Sequence, residues 1–238
     1  NYNSLQVQIR KEFTHGLMFL TSYTWSKAID DGTLVLINTL AGGATQQNPN
    51  CLACERARGD NDQRHKFIQS FMYTTPDISR KMFGASYRAG QYLLDGWQVG
   101  GIISLASGYP FSVTTGQDVS RSGLNYDRPN VTGNANLPTD RPKAQMLLKY
   151  FDPATFAVNT VGSFGNAGRN ILIGPGIQNV DFSVLKNLPI TERLGRVQLR
   201  FEVFNFLNHA NFGNPSGVIT AVTVGRITSS GPGRIVQI

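Results

Sequence analysis

Between Val197 and Val203 the chain alternates without a break. Val197, Leu199, Phe201 and Val203 are apolar, and Gln198, Arg200 and Glu202 between them are polar or charged. A period of two puts successive side chains on opposite faces of a β-strand. It is incompatible with an amphipathic helix, whose apolar residues must recur every three or four positions. The same alternation opens the chain, where Leu5, Val7 and Ile9 interleave with Gln6, Gln8 and Arg10.

Further strands follow from β-branched and aromatic runs bounded by turn residues. One is predicted at Leu17 to Ser26, after a turn at Thr14-His15-Gly16 whose glycine can supply a positive φ. Others are predicted at Lys66 to Thr74, Trp97 to Ser107 and Val180 to Leu188. The phase of Lys66 to Thr74 is ambiguous, because Phe67, Phe71 and Tyr73 share a face with Gln69. Pro76 to Asp95 reads as a connection with one short helical turn, and Phe151 to Phe156 as a small local element. The strand starting at Val197 is expected to continue through Phe204, Asn205 and Phe206 toward His209, and a seventh begins at Arg234.

The connections alternate in length. The first, third and fifth contain roughly three, twenty and eight residues; the second, fourth and sixth contain roughly forty, seventy and twenty-five. Short turns at one end and long loops at the other is the layout of a transmembrane β-barrel. Alternation alone fits a half-buried soluble sheet equally well. Three features favour the membrane. Charges sit in mid-strand on the polar face (Arg10, Glu12, Arg200, Glu202). Aromatic residues gather near strand ends (Phe13, Tyr23, Trp25, Tyr73, Trp97, Phe206). The stretch from Gly108 to Gly176 is too long and too rich in Gly, Asn, Pro and Asp to fold readily onto a small sandwich.

The predicted fold is therefore all-β: about seven strands of an antiparallel, up-and-down transmembrane barrel. Seven strands fall short of the roughly eight of the smallest single-chain bacterial barrels. An open edge in lipid would leave backbone groups unsatisfied at several kcal/mol each. Asn1 lies in the middle of patterned sequence, with no signal-type apolar segment before it. The chain is accordingly expected to be the C-terminal part, residues 1–238, of a larger barrel domain.

Composition excludes other classes. Hydrophobic residues make up 40% and charged residues 16% of the chain, against about 25% charged in soluble domains, so disorder is excluded. No apolar run approaches the roughly 18 residues of a transmembrane helix. The net charge of +7 is scattered and unaccompanied by any nucleic-acid motif, so no nucleic-acid partner is expected.

Four stretches resemble the C-terminal barrel of TonB-dependent receptors, in particular the Oar-like subgroup. They are Tyr2 to Gln6 leading to Ser22-Tyr23-Thr24-Trp25-Ser26-Lys27, Asp60 to Phe67 around Asp62, Arg64 and His65, Gly96 to Gly101 with Ser107 to Phe111, and Arg200 to Phe212. The resemblance implies a plugged barrel of about 22 strands in the outer membrane of a Gram-negative-type bacterium, with the long loops outside the cell. It implies outer-membrane lipid, a plug domain, the remaining strands, the inner-membrane TonB system and an unidentified extracellular nutrient as partners. Plug and N-terminal domains are absent from this chain. A last strand that in the family runs on to a terminal aromatic residue stops here at Ile238. The rival expectations are a secreted or surface β-sandwich, carbohydrate-binding for example, and a passive porin.

Within this scheme Gln6, Gln8, Arg10, Gln198, Arg200 and Glu202 are lumen-facing candidates. Leu5, Val7, Ile9, Val197, Leu199, Phe201 and Val203 are lipid-facing candidates. Arg200 and Glu202 are the best candidates for functional charges, although a ladder that touches only plug or water accounts for them as well. Tyr109, Phe111, Tyr126 and Phe164 in the long loops are candidate substrate contacts. Cys51 and Cys54 are read as a loop disulfide in an oxidising exterior, against idle thiols or a metal or redox pair. A zinc site needs about four ligands, and only His65 lies near. Asp60 and Asp62 have the spacing of hard-cation ligands but lack a downstream bidentate Glu. No histidine pairs with a nucleophile at motif spacing, so neither enzymatic activity, nor a cofactor, nor a metal is expected.

Overall fold

The computed structural model of the chain describes residues 1–32, 46–48, 50–84, 88–123, 125–191 and 195–238. Its strands are β1 (Tyr2–Thr14), β2 (Leu17–Asp30), β3 (Ala57–Arg58), β4 (His65–Thr74), β5 (Trp97–Ala106), four two-residue strands β6 (Pro110–Phe111), β7 (Asn130–Val131), β8 (Phe156–Ala157) and β9 (Leu172–Ile173), then β10 (Ile177–Thr191), β11 (Gly195–Phe204) and β12 (Ile235–Gln237). The helices among the described residues are short: α1 (Leu52–Glu55), α2 (Ile78–Phe83), α3 (Arg88–Leu94) and α4 (Lys143–Leu148).

The main sheet has the order β1-β2-β4-β5-β10-β11-β12, with β3 paired to the end of β2. Each long strand lies beside the one before it and runs antiparallel to it. This is the up-and-down meander expected of the sequence. The sheet is open, with β1 at one edge and β12 at the other.

At the first turn both His15 (φ 53°) and Gly16 (φ 81°) are left-handed, the conformation of a two-residue type I′ hairpin loop. A Cβ on Gly16 would collide with the carbonyl oxygen of Thr74. The Thr74 amide in turn donates to the Gly16 carbonyl at 2.7 Å. Glycine is thus required twice, for its φ and for the closeness of β4.

Directly opposed residues in an antiparallel ladder share a face, so the register sorts the side chains. One row runs Val7, Tyr23, Phe67, Leu105 and Gln178; another runs Phe19, Phe71, Gly101, Phe182, Val203 and Val236. Val99, Val184 and Phe201 form a third. The opposite face carries Gln8, Ser22, Ile68, Ser104 and Asn179 in one row, and Gly100, Ser183, Glu202 and Gln237 in another. The register resolves the ambiguous strand. Gln69 lies on the mainly apolar face, opposite Thr21 and Ile103, and Ile68 and Met72 lie on the polar one.

Several elements differ from expectation, β2 among them, which runs on past Ser26 to Asp30. Strand β10 begins at Ile177 and extends past Leu188 to Thr191. Its pairing with β5 ends at Lys186, and beyond that point it pairs with β11 alone, so the missing N–H of Pro189 costs no ladder bond on the free side. Strand β11 stops at Phe204 instead of running on toward His209, because Asn205 and Asn208 both turn left-handed at φ 51°. The Asn205 side chain locks that turn, donating to the carbonyls of His209 (2.8 Å) and Pro232 (3.2 Å) and accepting from the His209 amide (2.9 Å). The connection before β5 holds two helices, α2 and α3, where one helical turn was expected.

The buried apolar core does not lie on the sheet. Phe111, Val113, Ala135, Phe151, Phe156, Ala167 and Leu172 form it, with Tyr150, Ile219 and Val224 packed against it. All belong to the fourth and sixth connections. Among the described residues of the seven crossing strands, Val203 alone joins the buried hydrophobics, at 5% exposure.

Candidate functional site

The functional surface has two parts, the two-faced sheet and the folded cap made by the long connections. On the sheet, Leu199 is 57% exposed and Val197 and Phe201 are 41% exposed, as are Leu5, Val7 and Ile9 at 54%, 46% and 57%. No second sheet or helix layer covers these six side chains among the described residues. Val203, expected on the same open face, is buried, and this corrects its grouping with the exposed set. It lies in the ladder between Phe182 and Val236, where the Phe182 and Phe206 rings meet at 5.5 Å.

The polar face carries Gln6, Gln8 and Arg10 on β1 and Gln198, Arg200 and Glu202 on β11. There Gln198 Nε2 donates to Asn187 Oδ1 at 3.0 Å, Arg200 Nη2 donates to Gln198 Oε1 at 3.2 Å, and Arg200 and Glu202 pair at 3.7 Å. These are wet, loosely spaced contacts, worth little to stability. They form a lattice of donors and acceptors open to whatever faces it.

Charges also lie on the apolar side: Lys11 opposite Phe19, Lys27 opposite Asn3, and a third that is shielded. Lys186 stands opposite Trp97 and Leu199, yet it is buried at 6% exposure. Its ammonium donates to the Asp95 carbonyl and lies 4.9 Å from the Trp97 ring centroid. A long cationic stem that follows apolar surface to a polar rim is snorkelling. The rim is fixed by Asp95, which accepts from the Ser79 amide (2.9 Å) and hydroxyl. Those two hydrogen bonds hold the Asp95 carboxyl below its ordinary value of 3.8, against the opposing effect of burial.

At the other end, the second and fourth connections are bolted together by buried ions. Arg128 (3% exposed) and Glu55 (0%) form a two-pronged pair, Nη1 to Oε2 at 2.7 Å and Nη2 to Oε1 at 3.0 Å. The same Glu55 oxygen, Oε1, accepts the amides of Gln47 and Asn48, and Arg128 Nε donates to the Ala167 carbonyl. Arg169, fully buried, donates to the Glu55 carbonyl and pairs with Asp30 and with Asp60. Asn170 adds a bond to Asp60 at 2.6 Å. A disulfide joins Cys51 to Cys54 at the head of α1, with 5.3 Å between the Cα atoms, and so holds the turn that presents Glu55.

Asp60 and Asp62, weighed above as cation ligands, are committed inside the protein. Asp62 Oδ1 accepts from the Ala28 amide at 2.7 Å, and Asp60 serves Arg169 and Asn170. Among the described residues no cluster of three or more His, Cys, Asp or Glu could hold a metal. Of the candidate substrate contacts, Tyr109, Tyr126 and Phe164 are 38–39% exposed on the cap. Phe111 is not a surface contact. It is a core residue, 6.0 Å from the Phe151 ring.

The uncovered apolar face, the polar face and the loops massed at one end stand beside a family match made by the sequence itself. The family model for an outer membrane beta barrel domain matches residues 1–237. The chain belongs to that family. Its place is the outer membrane, and its sheet is part of an outer-membrane barrel. That assignment, with a single uncovered sheet, removes the secreted β-sandwich as a rival. No helix among the described residues is long and apolar enough to cross a membrane, and the barrel domain crosses with strands instead. No curated protein and no solved structure matches this chain.

Proposed function

We propose that this chain supplies wall and outer loops to a TonB-dependent transporter, which takes up a nutrient through the outer membrane on energy delivered from the inner-membrane TonB system. The observation that carries this reading is the cap. The long connections form a folded unit with its own apolar core and a buried ionic frame, seated at one end of the sheet. A rigid, structured surface of that kind suits capture of a specific solute better than free diffusion. The four receptor-like stretches of sequence support the same reading.

In this scheme the apolar rows meet lipid, and Arg200 and Glu202 meet the plug or the water around it. Tyr109, Tyr126 and Phe164 present phenol and phenyl surfaces to the incoming solute. Capture by the cap is followed by passage once the plug is moved, so no covalent step is involved. The passive porin is the second reading, and bilayer electrophysiology separates the two. Native protein from the outer membrane should show no steady conductance in a planar bilayer and should cross-link to the TonB periplasmic domain in cells. A steady ohmic channel with no TonB cross-link would support the porin instead.

A further inference from the structure

At the cap end the apolar face of the sheet is overhung. Helix α4 stands off it and leaves a cavity of about 480 Å³, within the roughly 300–1,000 Å³ of small-molecule sites. One wall is the upper part of the apolar face, Tyr23, Phe67 and Leu105; the other is Met146 and Leu147 of α4 with Ile227. The wall is thus continuous with the rows that run down the sheet.

Its charge is one-sided. Lys143, the first residue of α4, and the histidines His65 and His209 line the cavity, and no aspartate or glutamate does. Lys143 takes part in none of the ion pairs among the described residues; its ammonium lies over the Phe212 ring at 4.9 Å. His65 Nδ1 shares a hydrogen bond with the Tyr23 hydroxyl at 2.8 Å. His209 Nδ1 is buried with no partner among the described residues, an uncommon state for a polar atom.

We propose that this cavity holds an acyl chain of a phosphate-bearing membrane lipid, with Lys143 pairing its phosphate. An acyl chain reaches the site over the β5–β10 rows, where Val99 faces Val184, Gly101 faces Phe182 and Ile103 faces Val180. The cation waits at the level where head groups lie, which is where basic pockets on membrane proteins recognise them. The inference rests on the lipid-facing assignment of the apolar rows proposed above.

The test uses the native protein extracted from outer membranes in mild detergent, with bound lipid counted by native mass spectrometry. The probes are bisphosphorylated lipid A, the same lipid stripped of both phosphates, and inorganic phosphate. One lipid A per chain should be retained, at least about tenfold more firmly than the stripped lipid. Lys143→Glu should erase that preference, and Met146→Trp, which fills the cavity, should lose both lipids. Equal retention of the two lipids, indifference to both substitutions, or displacement of the lipid by inorganic phosphate would each overturn the proposal. Only protein recovered from the membrane fraction is compared. Failure to insert would bear on the facing of the sheet and is thereby read separately from loss of lipid.

Discussion

Leu199 and Arg200 are neighbours in sequence, yet they face different solvents. Leu199 lies in the uncovered apolar row opposite Lys186, and Arg200 lies on the polar face in reach of Gln198 and Glu202. An arginine placed at Leu199 should cost about 2–4 kcal/mol if it falls near the bilayer midplane. Gln198→Arg should cost almost nothing. Urea titration of the barrel refolded into lipid vesicles reads both, and equal costs would contradict the two-faced reading. Gly16 is constrained from the backbone side. Gly16→Val forces a β-branched residue into a left-handed turn and against Thr74, and should destabilise the β1–β2 hairpin by more than about 1–2 kcal/mol. Wild-type stability of that variant in the same titration would show that the turn can rearrange.

The elements at the two ends of the sheet are held by different chemistry. In the cap, Glu55 and Arg128 are both buried, so removing one leaves the other uncompensated. Glu55→Ala should cost about 3–5 kcal/mol, whereas replacing both by apolar residues of similar volume should recover much of that loss. A double-mutant cycle followed by hydrogen exchange of the cap amides checks this, and additive losses would mean that the pair acts as two independent contacts. At the opposite rim, helix α2 is tied down through Ser79 and Asp95. The Asp95 carboxyl titrates below its ordinary value of 3.8. The tie is therefore fully present above that ordinary value and fades as the pH falls toward the lower folded value. Protection of the α2 amides should hold at pH 5 and decay only in stronger acid, with Ser79→Ala decaying from a higher pH. Decay beginning near neutrality in the unsubstituted protein would exclude Asp95 as its cause.

The elements also differ in how far sequence exposes them. The strands were legible because each long one carries its own period-two signal, and the hairpin because His15-Gly16 announces a left-handed turn. The ionic frame of the cap was not. Glu55 and Arg128 are separated by 73 residues and Arg169 and Asp30 by 139, and no local pattern in a Gly- and Asn-rich loop marks partners that far apart. Phe111 looked like a surface aromatic for the same reason, since its burial depends on Phe151 in a different part of the connection. Val203 continues an exposed row in sequence, yet it is buried where it stands in the ladder between Phe182 and Val236. The end of β11 was missed because Asn205 and Asn208 act through left-handed backbone that their polar side chains stabilise, while their aromatic neighbours read as strand.

At the scale of the whole molecule, the arrangement reverses that of a soluble protein. The apolar core sits in the loops, and the regular sheet carries most of its hydrophobic rows uncovered, with helix α4 overhanging their upper end. Such a sheet is stable only if something apolar other than protein covers one face. On β5 the apolar row from Trp97 to Leu105 spans eight steps, about 26 Å along the strand and about 20 Å of height once tilted, most of a roughly 25 Å apolar band. Phe13, Tyr73 and Trp97 mark one border of it, and Tyr23 and Trp25 the other.

The facing of that band is tested most directly by spin labels placed singly at positions 197 to 202 of the full-length protein in lipid vesicles, with relaxation by oxygen and by a water-soluble nickel chelate compared at each site. Labels at 197, 199 and 201 should respond to oxygen and those at 198, 200 and 202 to the chelate. Odd-numbered labels shielded from both reagents, or equally open to the chelate on both faces, would contradict the account.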